Sequence, residues 1–326
     1  MILTRTPLRV SFFGGGSDIP SYYLRSPGAV LSTTINKYMY IALCKTAYDG
    51  VKLVYNDIET VKDINQIKHS RVRECLKKFK ITSNIEISSY CEIPTKGTGL
   101  GSSSTFTVGL ISALKAVNGD MHLPYKIAEI ACDIEMNACG EPIGKQDQYA
   151  AAIGGLNVFR FSPEEVHIKQ CAIKEADLLK LDNNLMLFYT GVSRSASELL
   201  ARQQENKNKN IIIDRMVDQV DIAYKLLKYS DLDSFGSLLH EAWHLKKQLS
   251  YNTSSDLIDS YYDKAIKAGA LGGKILGAGG GGYLLFYVPQ DRQLAVAAAL
   301  DDLMTFNFNF DFTGTQVVYN ETKSLL

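Results

Sequence analysis

The sequence has no excess of charge of either sign, because its 35 lysines and arginines balance its 35 aspartates and glutamates. A balanced chain has no general electrostatic attraction for nucleic acids or for an anionic membrane surface, so we expect neither as a partner. No apolar run is long enough to cross a bilayer. Residues 1–7 contain no apolar segment of the kind found in secretion signals. We therefore expect a cytoplasmic protein.

Cysteine is scarce and scattered. Six cysteines are spread over 326 residues, and no two of them form a C-x-x-C pair. Such pairs mark redox motifs and many zinc sites, so both classes are disfavoured. Reduced thiols are the simplest interpretation, and they again favour the cytoplasm.

The order of the expected elements predicts the α+β class. A chain of 326 residues is long enough for two domains. Strand-like runs and helical patterns mix without strict strand–helix–strand alternation, which favours α+β over a doubly wound parallel sheet. The charged segment 174–180 is the best candidate for a boundary. We therefore expect an N-terminal domain at residues 1–178 and a C-terminal domain at residues 179–326.

A glycine-rich loop at residues 94–104 is the strongest functional signal. Its glycines, Gly97, Gly99 and Gly101, stand at every second position, and a helical pattern follows over residues 102–117. Only residues without a Cβ fold tightly enough for such a loop. A strand-like stretch precedes the loop. The order strand, loop and helix brings unpaired backbone N–H groups and the positive end of a helix dipole together at the start of the helix. This arrangement predicts a phosphate site.

Two common glycine loops do not fit this stretch. A Walker A loop ends in Gly-Lys-Ser/Thr, and no such triplet follows Gly101. A Rossmann fingerprint reads G-x-G-x-x-G, whereas one residue separates each glycine here, although Asp120 lies at about the distance of a ribose contact. The preceding strand also carries two glutamates and two serines between residues 85 and 93, which is unusual for a strand buried on both faces.

The loop resembles the ATP-phosphate loop of the GHMP kinases, a family that includes galactokinase, homoserine kinase, mevalonate kinase and phosphomevalonate kinase. The likeness extends over Pro94-Thr95-Lys96-Gly97-Thr98-Gly99-Leu100-Gly101-Ser102-Ser103-Ser104. It implies that ATP is bound by Lys96, Gly97, Thr98, Gly99, Leu100, Gly101, Ser102, Ser103 and Ser104. A structural glycine turn is the alternative.

The family resemblance also implies a fold. Its N-terminal domain is a mixed sheet with helices, like domain 2 of ribosomal protein S5, and its C-terminal domain is a ferredoxin-like antiparallel sheet with helices. The glycine turn Gly277–Gly282 matches a further family motif that lies against the phosphate loop. Taken alone, this turn is equally consistent with a flexible hairpin.

Two acids stand at helical spacing among small, apolar residues, where a carboxylate is costly unless it meets a cation. These are Glu135 and Asp147, and each by itself can be a salt-bridged or capping residue. The resemblance implies that Glu135 and Ser103 bind a magnesium ion, with Ser102 as the alternative serine. It further implies that Asp147 faces the substrate hydroxyl, orients it and accepts its proton.

Arg9 lies in the first predicted strand, at residues 1–13. An arginine there can simply cover a sheet edge. The resemblance instead places it beside the catalytic Asp147, where it would balance charge on the transferred group.

The loop after this strand reads Gly14-Gly15-Gly16-Ser17-Asp18. Asp18 either caps the short run 19–24 or, as in sugar-binding members of the family, holds sugar hydroxyls. Gly15, Gly16 and Ser17 would then line the same sugar site. Galactokinases carry Glu-His-x-Asp in this loop, so the difference counts against galactose and suggests room for a bulkier sugar.

Residues 6–18, 144–151 and 189–196 show a narrower likeness, to family members that phosphorylate the anomeric hydroxyl of a heptose phosphate. Such enzymes use ATP and magnesium on the route to nucleotide-activated heptose for surface polysaccharide. The acceptor's own phosphate needs cations. The candidates are Arg194 with Ser193, and more weakly Lys145 and Lys96.

The segment His240-Glu241-Ala242-Trp243-His244 has the form of the zinc-protease motif H-E-x-x-H. No glutamate lies between Glu241 and Glu321 to serve as the third zinc ligand, so we expect a helix face near the substrate pocket instead. Four interpretations are kept: a heptose phosphate kinase, a kinase for a fucose- or galactose-like sugar, a non-catalytic ligand sensor, and a zinc protease. ATP and a sugar phosphate are the expected small-molecule partners, and a homodimer is possible.

Overall fold

A computed structural model describes residues 1–94, 97–120, 123–192, 206–250 and 253–321. The strands in these ranges are β1 (Ile2–Phe13), β2 (Gly28–Lys45), β3 (Val51–Val54), β4 (Ile58–Val61), β5 (Ile85–Cys91), β6 (Asn157–Phe161), β7 (Val166–Gln170), β8 (Leu185–Tyr189), β9 (Gly272–Ile275), β10 (Tyr283–Tyr287), β11 (Met304–Phe306), β12 (Phe310–Asp311) and β13 (Gln316–Asn320). The helices are α1 (Pro20–Tyr23), α2 (Ser70–Lys78), α3 (Ser102–Val117), α4 (Pro124–Cys132), α5 (Gln146–Ile153), α6 (Glu175–Asn183), α7 (Lys209–Lys228), α8 (Leu232–Lys247), α9 (Asp256–Lys267) and α10 (Gln293–Ala299).

Among the described residues, nine strands form a mixed sheet that is built around β1 and β2. These two long strands pair antiparallel, β5 lies on the other side of β2, and β3 runs parallel to β5. Helices α3 and α5 pack on β1 and β2. Since α3 carries small and apolar residues nearly all round, it is buried along most of its length.

The second sheet of the described chain is antiparallel, in the order β11, β8, β10, β9. Helix α8 packs on β9, and α9 lies beside it. The predicted α+β fold, with a mixed sheet first and an antiparallel sheet second, is confirmed.

The domain boundary near residue 178 falls within α6, which connects the last hairpin of the first sheet to β8 of the second. It stays a prediction. The last two strands belong to the first sheet, because β12 pairs with β2 and β13 pairs with β1.

Aromatic packing joins the two sheets beside the end of β1. The ring of Phe235 on α8 meets the rings of Phe12 and Phe13 edge-on, at centroid distances of 5.4 and 5.2 Å. All three side chains are buried. Such edge-to-face contacts are favourable, and they hold α8 and β9 next to the segment that carries Arg9 and the glycine loop after β1.

None of the described helices has both the length and the apolar composition needed to cross a membrane.

Candidate active site

A cavity of about 580 Å³ lies between the end of β1, the start of α3, the start of α5 and the C-terminal half of α8. The phosphate loop and the glycine turn after β9 form part of its wall. Its charged lining, among the described residues, consists of Arg9, Asp18, Arg71, Glu141, Asp147, Lys246 and Lys274.

The phosphate loop has the strand–loop–helix form that the sequence predicts. Gly99 and Gly101 have φ angles of +84° and +73°, which glycine adopts without strain. Gly101 is the N-cap of α3, so the first turn of this helix, Ser102–Ser104, lines the cavity with its N-terminal end. A helix N-terminus carries unsatisfied N–H groups and attracts anions. Lys96 lies outside the described residues.

The glycine turn Gly277–Gly282 lies directly behind the phosphate loop. A methyl group on Gly99 would lie only 2.4 Å from the carbonyl oxygen of Leu276. The Tyr283 N–H donates to the carbonyl of Thr98 at 3.2 Å. The two glycine segments are therefore in backbone contact, as the family motif implies.

Arg9 and Asp147 form a bidentate ion pair in the cavity wall. Nε and Nη2 of Arg9 donate to Oδ1 and Oδ2 of Asp147, both at 2.8 Å. The remaining Nη1 donates to the carbonyl of Gly99 in the phosphate loop. The Arg9 side chain is 5% exposed and that of Asp147 is 24% exposed. The sheet-edge interpretation of Arg9 is thus wrong, and Asp147 keeps a face open to the cavity.

Asp18 is buried and caps α5 instead of the run 19–24. Its carboxylate accepts hydrogen bonds from the backbone N–H groups of Gly16 at 3.0 Å and Gln146 at 3.1 Å. The amide group of the Gln146 side chain donates to it at 3.2 Å. Burial, and to a lesser degree the charge of Asp147, raise the pKa of Asp18. Because Asp18 also lines the cavity, its predicted contact with a sugar stays a prediction.

The loop after β1 divides into two parts. Gly15 and Gly16 line the cavity. Ser17 is fully buried, with its hydroxyl 2.7 and 2.9 Å from the carbonyls of Gly14 and Ala29, and it accepts the Ala29 N–H at 3.0 Å. Ser17 is therefore absent from the lining, because its hydroxyl closes the loop onto β2, and the structure does not bring it to the sugar site.

None of the cations predicted to bind a second phosphate is found among the described residues that line the cavity. Arg194 and Ser193, like Lys96, lie outside them. The Lys145 ammonium stands 4.5 Å from the centre of the Tyr23 ring and is not part of the cavity lining.

Glu135 is fully buried on a π-helical turn, Asp133–Ala138, that continues α4. Such turns shift the helical register and are frequent at functional sites. The carboxylate accepts four hydrogen bonds, from Arg71 Nε at 2.9 Å, Thr107 Oγ1 at 2.7 Å, Ser104 Oγ at 2.8 Å and Gln148 Nε2. Its charge and its lone pairs are thus matched within the protein.

The donor types around Glu135 suit Mg²⁺, which prefers carboxylate and hydroxyl oxygens. The exposed Ser103 lines the cavity in the same turn, although Ser104 is the serine bonded to Glu135. Glu135 itself is not part of the cavity lining, and Arg71 is one of the four protein donors that now hold its carboxylate. Arg71 already contacts Glu141 at 3.2 Å, so an alternative partner is in place. The described residues contain no group of three or more His, Cys, Asp and Glu side chains that is arranged to hold a metal ion.

The H-E-x-x-H segment lies on α8. The Nε2 atoms of His240 and His244 are 3.1 Å apart, and Nδ1 of His240 lies 2.8 Å from the hydroxyl of Tyr262. Trp243 is buried in the core between α8, α9 and the second sheet. None of these residues lines the cavity, although Lys246 on the same helix does, so a place near the substrate pocket stays a prediction for them.

Two lysines in the cavity wall were missed by the sequence reasoning. Lys246 on α8 is 6% exposed and Lys274 on β9 is 4% exposed. Burial, with the charges of Lys274 and Arg9, lowers the pKa of Lys246 well below its usual value. Burial, with the charge of Arg9, lowers the pKa of Lys274 to about 7. The sequence did contain a signal for Lys274, because it is the one cation in the apolar stretch before the glycine turn. The residues around Lys246 contain no comparable signal.

Two family models match the chain. The GHMP kinases N terminal domain matches residues 65–155, and the GHMP kinases C terminal domain matches residues 223–304. D-glycero-alpha-D-manno-heptose 7-phosphate kinase of Campylobacter jejuni is 30% identical over 335 residues, which cover 96% of each chain. The L-fucokinase/L-fucose-1-P guanylyltransferase of Bacteroides fragilis is 24% identical over 90% of this chain and 35% of its own length.

Solved structures with the same fold include a D-glycero-D-manno-heptose 1-phosphate kinase from Bacteroides thetaiotaomicron. It has a TM-score of 0.80 and 24% identity, over 98% of this chain and all of its own. The galactokinase of Lactococcus lactis, in complex with galactose, has a TM-score of 0.77 and 16% identity, over 97% of this chain and 95% of its own. At these identities the likeness establishes the fold alone.

Proposed function

The chain belongs to the GHMP kinase family, and from this premise we propose that it phosphorylates the anomeric hydroxyl of D-glycero-D-manno-heptose 7-phosphate. It is a kinase that transfers phosphate to a hydroxyl group, and its relatives support a sugar phosphate as the acceptor. The product would be the 1,7-bisphosphate, a precursor of nucleotide-activated heptose. The observation that carries the proposal is the Arg9–Asp147 pair, which stands between the phosphate loop and the loop after β1.

The proposed chemistry needs little from the protein beyond positioning and charge. The acceptor hydroxyl gives its proton to Asp147, and its oxygen forms a bond to the γ-phosphorus of ATP. The bond between that phosphorus and the β–γ bridging oxygen breaks, and ADP leaves. Arg9 holds both oxygens of Asp147 and also the phosphate loop, so it keeps the base aligned with the phosphate.

The acceptor is tested by measuring ADP release with heptose 7-phosphate, galactose, fucose and mevalonate. We expect kcat/KM with heptose 7-phosphate to exceed the other values by about 100-fold or more, because a site built to bind a polar group of its substrate strongly rejects acceptors that lack this group. A higher kcat/KM with fucose or galactose would favour the alternative sugar kinase. If none of the four compounds causes ADP release, the proposal is wrong and a ligand sensor is favoured.

Magnesium is part of the proposed function, with Glu135 and Ser103 as its ligands. When bound, the ion would neutralise charge on the phosphates of ATP. We expect Glu135→Gln to weaken Mn²⁺ binding in the presence of ADP by about 10-fold or more, measured by electron paramagnetic resonance.

Glu141→Gln is the matched control for this prediction, because Glu141 also pairs with Arg71 but is not a proposed ligand. Equal weakening in both variants would mean that general charge, and not coordination by Glu135, attracts the ion. Thermal unfolding of each variant checks that the fold is intact.

A cytoplasmic location belongs to the same proposal. All six cysteines are free thiols, as expected in a reducing compartment. A homodimer stays a prediction, and sedimentation equilibrium would test it.

A further inference from the structure

Lys246 and Lys274 are buried lysines without an acidic partner among the described residues. The ammonium of Lys246 donates to the carbonyls of Ile275, at 3.0 Å, and Gly277. That of Lys274 donates to the carbonyl of Phe12 at 2.6 Å. No described carboxylate lies within ion-pair distance of either lysine, although burying an unpaired charge is costly.

The acids of the cavity are already engaged by other groups. Asp147 is held by Nε and Nη2 of Arg9, and Glu141 contacts Arg71. Asp18 accepts three N–H hydrogen bonds. The cavity wall therefore presents two lysine side chains for which the described residues supply no carboxylate, and burial lowers the pKa of both. A bound anion would favour their charged form.

The two lysines also have hydrogen-bonding capacity to spare. An ammonium has three donors. Lys246 uses two of them on carbonyls and Lys274 uses one, which leaves three N–H groups for a guest. In the charged forms that a bound anion favours, the two lysines match the two negative charges and three oxygens of a phosphate group better than they match a singly charged carboxylate.

We propose that Lys246 and Lys274 together bind a phosphate group in this cavity. The inference rests on the proposed function, which brings two phosphates to the site: the acceptor's own and the one that ATP transfers. Lys246 holds the glycine turn at Gly277, and Lys274 holds the end of β1, so the lysines also tie this phosphate to both walls of the cavity.

The test uses Lys246→Met and Lys274→Met, since methionine keeps the apolar stem and removes the charge. Lys247→Met is the matched control, because Lys247 is the next residue on α8 but pairs with Asp259 and is not in the cavity lining. We expect kcat/KM with the sugar phosphate to fall by about 10- to 100-fold in the two cavity variants and to stay within about twofold in the control.

Binding measurements distinguish the source of the phosphate. Calorimetric titration with heptose 7-phosphate, unphosphorylated heptose and a non-hydrolysable ATP analogue gives separate affinities. Weaker binding of heptose 7-phosphate alone assigns the lysines to the acceptor's phosphate. Weaker binding of the ATP analogue, or a lower kcat with unchanged affinities, assigns them to the transferred phosphate.

Stability gives a readout that a merely structural role would not produce. Removing a buried lysine that has no counter-charge offsets the loss of its hydrogen bonds to carbonyl groups, so we expect both methionine variants to unfold within about 4 °C of the wild type or above it. Lower activity together with unchanged or higher stability supports a binding role. Lower activity that follows only from a destabilised fold would contradict it.

Activity and affinities within about twofold of the wild type in both cavity variants would overturn the inference while leaving the proposed function intact. If the wild type phosphorylates no acceptor, protection of the wild type by inorganic phosphate against thermal unfolding still decides the question. Protection that disappears in the methionine variants supports the phosphate site, and protection that persists in them overturns it.

Discussion

Replacing Asp147 by asparagine is expected to lower kcat by about 100- to 10,000-fold, the usual contribution of a positioned general base. Asparagine has nearly the same shape but cannot accept the proton of the acceptor hydroxyl. It also leaves the buried Arg9 without its counter-charge, since both oxygens of Asp147 now accept from that guanidinium. The measurement is ADP release at saturating ATP and acceptor, with the affinity for an ATP analogue determined in parallel.

The control for this variant is Asp133→Asn, which removes an acid that pairs with Lys78 on the surface. We expect it to leave kcat within about twofold, as is usual for surface substitutions. An Asp147→Asn enzyme with unchanged ADP output would mean that another group accepts the proton or that turnover is not the function of this site. Loss of ATP-analogue binding would instead point to a disturbed phosphate loop.

Replacing Gly99 by alanine is expected to separate the phosphate loop from the glycine turn. The φ of +84° is strained for any residue with a Cβ, at a cost of about 1–2 kcal/mol. The new methyl group would also lie 2.4 Å from the carbonyl oxygen and 2.5 Å from the carbonyl carbon of Leu276. These are backbone atoms that cannot rotate away, and such overpacking adds about 1–3 kcal/mol.

We therefore expect the Gly99→Ala variant to bind the ATP analogue roughly 30-fold more weakly or worse, and to unfold at a lower temperature. The matched control is Gly119→Ala, at φ +73° with no atom within 4 Å of the added methyl group. It carries the backbone strain without the clash and lies at the far end of α3. Nearly equal losses of affinity in the two variants would contradict the packing explanation.

The phosphate loop is a feature that the order of neighbouring residues was enough to predict. Three glycines at alternate positions, followed by helical spacing, predicted the loop and α3, because positive φ angles and helix periodicity are properties of neighbouring residues. The same holds for the glycine turn at residues 277–282. The contact between these two segments was implied by the family resemblance and not by their own patterns.

The partners of charged side chains could not be predicted from neighbouring residues. Glu135 was identified from its apolar helix face, but Arg71, its partner, lies 64 residues earlier and carries no local signal. For Asp18, one of the two interpretations was a cap on the run 19–24 that follows it directly, yet its carboxylate accepts the first N–H of α5, 128 residues later. In both cases the fold supplied a partner that no window of sequence contains.

The sequence by itself determined the family, the two-sheet α+β fold and the phosphate loop, since each depends on residue order over short spans. Through their place in family motifs it also predicted that Arg9 lies beside Asp147, as the structure has it. Only the tertiary structure decided that Ser17 faces β2, that Arg71 holds Glu135, and that Lys246 and Lys274 lie in the cavity wall without a carboxylate partner among the described residues. The physical reason is that burial and charge pairing depend on which distant segments pack together. Contacts of this kind produce no periodic pattern in the sequence.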